Sequence, residues 1–205
     1  MAGAFVAGAT GVAGMGGAGD PLWAAAVLMW ADPVRRGIWA VDEHVMRAEA
    51  GAPYAPGFLA LRVGQVLERA IRMLGEDVDV VLLDATGRDH PRRGGLAVNL
   101  GWVLDLPTVG VTDRPLVAGA REPADEPGSW EPLMLGDERV GAALRTRAHA
   151  RPVFVHAGWR TDPDVAVEVV LLVTDRARTP EPLRRARRLA RESRALDEGR
   201  VDRLP

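Results

Sequence analysis

"VDVVLLDATGRDHPRRGGLAVNLGWVLDLPTVGV", Val78 to Val111, decides how this 205-residue chain folds. It opens with VDVVLLD, Val78 to Asp84, a nearly continuous apolar run. A strand buried on both faces of a sheet has that composition. It closes with PTVGV, Pro107 to Val111, a second run of the same kind. Between them, Leu96 to Leu104 reads as a helix. Strand, helix and strand in this order imply a sheet with helices packed on it. The first strand delivers one carboxylate, Asp84, into the loop DATGRDHPRRGG. A carboxylate at a strand end usually serves a metal or a proton, and one alone rarely suffices.

Working outward, Ala4 to Ala13 reads as a strand, Gly14 to Asp20 as a flexible turn, and Pro21 to Ala31 as a second strand. Arg36 to Met46 reads as a third, completing an antiparallel meander. The loop PYAPG, Pro53 to Gly57, leads into a helix over 58–74. There Val63, Val66, Leu67, Ala70, Ile71 and Leu74 share one face, and Gly75 is a stop. Beyond Val111, Ala118 to Ser129 is a polar, Pro-rich loop. Trp130 to Arg147 predicts a hairpin about Gly136-Asp137, and Pro152 to Val155 a last strand. Thr161 is the expected cap of one helix, and Thr179-Pro180-Glu181 the start of another. The expectation is one α/β domain over residues 1–205, with a tail from about residue 195.

Composition sets limits on function. A net charge of −2 excludes a surface that is basic all over, so any nucleic-acid contact is a local patch. Zero cysteines exclude disulfides, thiolate metal sites and thiol nucleophiles. No positively charged leader opens the chain, and no apolar run reaches bilayer length, so a cytoplasmic protein without membrane contact is expected. Oligomeric state leaves no trace in the sequence.

Most isolated motifs have a bland reading. GMGGAG, Gly14 to Gly19, matches a dinucleotide fingerprint, but a strand-like segment follows it where a helix is required. The only serines, Ser129 and Ser193, lie in no nucleophile elbow. His44, His90, His149 and His156 lack metal-ligand spacing. VDEHVM puts Asp42 and His44 on one strand face and Glu43 on the other. It reads as an exposed edge first and an acid/base or metal cluster second. The arginines of TPEPLRRARRLARESRALDEGR read as a solvated helix face before a phosphate-binding one.

Three segments in order resemble one family. PYAPGFLALR, Pro53 to Arg62, resembles the P-Y-x-P-G-[FL]-L-[AS]-[FL]-R motif of endonuclease V. The stretch Leu82 to Val111 resembles that family's strand-Asp-loop-H-P-R-R-x-G-L-A segment and its D-[IL]-P-T-[IV]-G-V strand. RTPEPLRRARRLA, Arg178 to Ala190, resembles its closing R-x-P-E-P-[LT]-R-x-A-[DH] helix. Order and spacing agree from about Val6 to Ala190. The resemblance implies a ribonuclease H-like mixed sheet, with an antiparallel meander and flanking helices. It also implies magnesium-dependent phosphodiester hydrolysis near deaminated bases, chiefly inosine. Pro53, Tyr54, Pro56 and Gly57 would be the wedge beside the lesion. Leu83, Gly87, His90 and Leu96 would lie near the base pocket.

The departures from the family pattern fall on its chemistry. Where the family has its first metal-binding aspartate, VAGATGVA supplies Thr10. The glutamate after the wedge helix's arginine is Val63, the catalytic lysine is Asp113, and the late histidine is Trp159. Asp84 alone remains of the acidic set, a weak metal ligand by itself. Groups that act as a unit fail as a unit, so no cofactor is expected here, magnesium included. The leading expectation is a pseudonuclease that binds nucleic acid or nucleotide. Next is a scaffold refitted for other chemistry on a small-molecule ligand, with Asp84, Asp113 and His156 as catalytic candidates and Trp159 in the cleft. Last is a nuclease with a relocated metal site.

Overall fold

The apolar run that ends at Asp84 lies at the centre of the sheet. In the computed structural model, residues 2–8, 16–32, 34, 37–75 and 78–199 are described, residues 2–8 by their backbone alone. Strand β4 (Val81–Leu83) pairs in parallel with β1 (Ala2–Gly8) on one side and β5 (Thr108–Thr112) on the other. Beyond β1 come β2 (Pro21–Asp32) and β3 (Gly37–Glu49), both antiparallel. Beyond β5 come β8 (Val153–Ala157), β7 (Glu138–Leu144) and β6 (Trp130–Leu135). The sheet order is β3-β2-β1-β4-β5-β8-β7-β6. This is the expected ribonuclease H-like mixed sheet, meander included.

Alternation along the strands divides two apolar layers. Leu22, Ala24, Ala26 and Leu28 of β2, with Val81 and Leu83 of β4, meet helix α1 (Leu59–Arg72) and helix α2 (Leu96–Leu104). Val63, Val66, Leu67, Ala70 and Ile71 supply α1's buried stripe, as the periodicity predicts. Each such side chain, fully buried, contributes about 2 kcal/mol. On the other face, Leu82, Val109, Val111, Val153 and Val155 pack against α3 (Pro163–Leu172) and Leu183 of α4 (Glu181–Asp197). Trp23, Ala25, Val27 and Met29 meet Ala186 and Ala190 of α4. Asp84 has the parity of Leu82, and its side chain accordingly meets α4.

Several boundaries differ from expectation. β1 begins at Ala2 and ends at Gly8, and the Thr10 position lies outside the described residues, as do Gly14 and Met15. β4 is shorter than its apolar run, because Val78 and Val80 are buried without joining the ladder. The first of the two closing helices is capped by Asp162, which accepts from the backbone N–H groups of Asp164 and Val165. Thr161 instead donates its hydroxyl to the Thr108 carbonyl, tying that loop to β5. α4 starts after Pro180, without a side-chain cap from Thr179, and runs on to Asp197, into the region expected as a tail. Residues 200–205 lie outside the described residues. Among the described residues, no helix is long and apolar enough to cross a membrane.

Candidate functional site

Asp84 leaves the C-terminal end of β4 between β1 and β5. Its carboxylate accepts a charge-assisted hydrogen bond of 2.7 Å from Arg187 of α4. About a third of the side chain (32%) reaches solvent. Even so, crowding by protein raises its pKa above the ordinary value. Arg187 opposes that rise, and Asp113 adds to it by like charge.

The strand register shows which β1 residue stands beside Asp84. Ala4 lies opposite Leu83, so the β1 residue level with Asp84 is Phe5, within Gly3-Ala4-Phe5-Val6. Thr10 follows the end of that strand by two residues in sequence. Val63, where the family resemblance implies a second acid, is buried in the core on α1. A magnesium site needs several oxygen ligands around one point. Among the described residues, no three His, Asp or Glu side chains gather into such a set. The one carboxylate at the strand end already faces a guanidinium. These residues do not fit the metal ion that the family resemblance implies.

The wedge and the loop after Asp84 touch one another. Gly57 has φ +77, and a Cβ added there would stand 3.4 Å from His90 Nε2 and 3.3 Å from Arg92 Nη1. The Arg92 guanidinium lies 4.2 Å from the Phe58 ring centre, a cation–π contact. Tyr54 is exposed, and its N–H donates to the Gly16 carbonyl. Arg62, almost fully buried, donates to the carbonyls of Gly17 and Ala52 and pairs with Asp20 at 3.2 Å. It thereby fastens the turn after β1 to the start of the wedge. The described part of the glycine-rich stretch is thus a latched turn.

Leu83 and Leu96 are buried in the α1–α2 core. Gly87 is required by close approach, since a Cβ there would meet the Ala157 carbonyl at 2.3 Å. Asp89, buried beneath the same loop, accepts from the backbone N–H groups of Leu116, Val117 and Ala118. His156 Nδ1 stands 3.8 Å from Asp89 with no hydrogen-bond partner, and its Nε2 lies 2.8 Å from Thr112 Oγ1. Thr112 gives its own proton to the Arg114 carbonyl, so Nε2 of His156 is the donor between them. Burial pushes the His156 pKa down to about 4, partly offset by Asp89. A fully buried imidazole has no access to a substrate, so His156 serves the packing of the loops.

One candidate stands away from Asp84, and another is turned outward to an arginine. Trp159 is at the other end of the sheet, where its backbone N–H donates to Thr108 Oγ1 at the start of β5. The cleft placement expected for it is therefore corrected. Strand β8 runs antiparallel to β5 and carries its C-terminal end away from Asp84. Asp113 is exposed and paired with Arg178. Asp42 and His44 hydrogen-bond to each other at 2.9 Å on the edge strand β3, and Glu43 pairs with Arg185. Sequence reasoning overlooked Arg187, although it falls on the [DH] position of the closing motif. It also overlooked Phe5, which lay inside the expected strand but whose place beside Asp84 only the pairing with β4 shows.

Comparison with known proteins gives one answer. The sequence profile described as Endonuclease V matches residues 6–188. Endonuclease V of Roseiflexus castenholzii is 40% identical over 171 residues, 83% of this chain and 75% of its own length. That of Alkalilimnicola ehrlichii is 43% identical over 150 residues, 73% of this chain and 66% of its own length, just under two thirds. The crystal structure of Endonuclease V from Streptomyces avermitilis is 37% identical with a TM-score of 0.82, covering 97% of this chain and 82% of that one. The catalytic domain of human Endonuclease V gives 30% and 0.83, covering 97% and 83%. Endonuclease V of Ciona intestinalis, solved with a 24mer DNA containing an inosine followed by a ribo-adenosine, shares the fold at 19% identity and a TM-score of 0.76, covering 96% and 85%.

Proposed function

Because this chain belongs to the endonuclease V family, we propose that it keeps the family's grip on nucleic acid at deaminated bases and has lost metal-dependent cleavage. The observation that carries this reading is the Asp84–Arg187 pair. A guanidinium presents five N–H donors, no acceptor and a permanent positive charge. Placed on the remaining acid, it supplies the counter-charge that a metal would supply, and it repels a divalent cation. It cannot polarise a water into a nucleophile as a metal does. Phe5 and Val63 remove the further carboxylates a metal needs.

The binding half of the reading rests on what is retained. Tyr54 is exposed on a wedge whose Gly57 and Phe58 are held against His90 and Arg92. An extruded base needs a wedge and a pocket side by side, and the Ciona protein is a family member solved with inosine-containing DNA.

The test has two arms. Binding of a labelled inosine oligonucleotide is expected, and weaker binding of the same oligonucleotide by Tyr54→Ala. In a strand-nicking time course with Mg²⁺ and then Mn²⁺, no cleavage is expected. Nicking that disappears in Asp84→Ala overturns the pseudonuclease reading, and absence of binding overturns the nucleic-acid reading.

A further inference from the structure

One residue beyond Arg92, the loop after Asp84 turns to the tip of the β6–β7 hairpin. There two arginines converge on one acid. Arg93 Nη1 lies 2.7 Å from Glu138 Oε2, and Arg88 Nη1 lies 3.6 Å from Glu138 Oε1. The group carries a net charge of +1, from two guanidinium ions and one carboxylate. Three further features mark it as more than a surface ion pair. Arg93 has φ +57, a left-handed backbone that is strained for a non-glycine residue. Arg88 Nε is buried and has no hydrogen-bond partner. All three side chains remain between a third and a half exposed, so an anion has access.

We infer that Arg88 and Arg93 form a seat for a backbone phosphate of bound nucleic acid, with Glu138 as the resident anion that the phosphate displaces. This rests on the nucleic-acid reading above. The geometry fits the chemistry. Two guanidinium groups that converge on one carboxylate present the donors that grip a phosphodiester, whose two free oxygens match a carboxylate's. Position fits as well. Arg92 touches the wedge through Phe58 and Gly57, so a strand held at the wedge passes within reach of the next residue. Glu138 keeps the seat formed and charge-balanced without ligand, and the strained Arg93 backbone holds the guanidinium pointed at it.

The test is a fluorescence anisotropy titration of the full chain with a labelled single-stranded inosine oligonucleotide, at several salt concentrations. Each phosphate contact contributes about 0.7 to the slope of log affinity against log salt on a single strand. Arg88→Ala/Arg93→Ala is expected to weaken binding about tenfold or more and to flatten that slope by about one contact. Glu138→Gln is expected to bind several-fold tighter, since no internal anion competes. Arg147→Ala, an exposed arginine beyond the far end of β7, controls for bulk charge and should change little. If the double variant binds like wild type with the same slope, or Glu138→Gln binds more weakly, the seat is refuted while the wider reading stands. If wild type does not bind at all, the nucleic-acid reading falls and the seat with it.

Discussion

Replacing Arg187 by methionine tests whether a guanidinium has taken over a metal's electrostatic role. Methionine keeps the aliphatic stem and removes the charge, which leaves Asp84 in its crowded position without its cation. Fully exposed pairs contribute about 0.2–1 kcal/mol. Breaking a fully buried pair by removing one partner costs about 3–5 kcal/mol. This pair is in contact at 2.7 Å, with 27% of Arg187 and 32% of Asp84 exposed. Solvent therefore screens part of the interaction, and a loss of about 2 kcal/mol is expected. In a chain of this length that lowers Tm by about 4–8 °C. The informative measurement is a double-mutant cycle by urea unfolding, with Asp84→Asn, Arg187→Met and both together. Asp84→Asn removes the charge that crowding disfavours, so the double variant should recover about 1–2 kcal/mol relative to the sum of the singles. If the two substitutions add to within about 0.5 kcal/mol, the groups are uncoupled and the reasoning fails.

Other outcomes follow from neighbouring geometry. Arg62→Met should cost about 3 kcal/mol, because it removes a buried guanidinium together with its bonds to the Gly17 and Ala52 carbonyls and its pairing with Asp20, and should raise amide exchange in residues 51–57. Gly87→Ala should cost about 3 kcal/mol, read by denaturant midpoint, since its Cβ would meet the Ala157 carbonyl. His156 has a folded pKa of about 4 against an ordinary 6.5, so only the unfolded chain takes up its proton between those values. Stability from this group is complete above pH 6.5 and falls by about 3 kcal/mol as pH drops to 4. Asp84, whose pKa is raised, acts in the opposite direction. Urea unfolding across that range should therefore show the loss, and His156→Gln in an Asp84→Asn background should flatten it.

The sequence was most legible where burial writes a period. The apolar runs ending at Asp84 and Val111, and the stripe from Val63 to Ile71, lie in the core as read. Termini were less legible. Asp162, not Thr161, caps α3, because Thr161's hydroxyl is spent on β5. The first strand was placed late because Ala, Gly and Val continue beyond Gly8, and only pairing with β2 and β4 sets its register. Contacts distant in sequence left no local pattern. Arg187 reaches Asp84 across 103 positions, and Arg88 and Arg93 reach Glu138 on the β6–β7 hairpin. Trp159 was misplaced because an aromatic in a chemical residue's place invites a functional reading. Its location depends on the antiparallel direction of β8, which the motif does not encode.

The departures from the family pattern are mutually consistent, and that consistency argues against a nuclease with a rearranged metal site. A site with several carboxylates and no cation is strained by like-charge repulsion, and an arginine on one acid competes with any metal. With Phe5 on β1 and Val63 in the core, Asp84 is the acid at the end of β4, and Arg187 pairs with it directly. Restoring one piece therefore gains nothing. Val63→Glu alone would place a carboxylate at a position that is 2% exposed, among apolar side chains, with no cation facing it. Such a charge is costly to bury unpaired, and the group would take up a proton instead. Arg187→Asp alone would set two acids against each other without the further ligands that magnesium demands. On the proposed reading, metal chemistry would require simultaneous change at Phe5, Val63 and Arg187. On that reading each single change meets one of these penalties while the Asp84–Arg187 pair still opposes a metal.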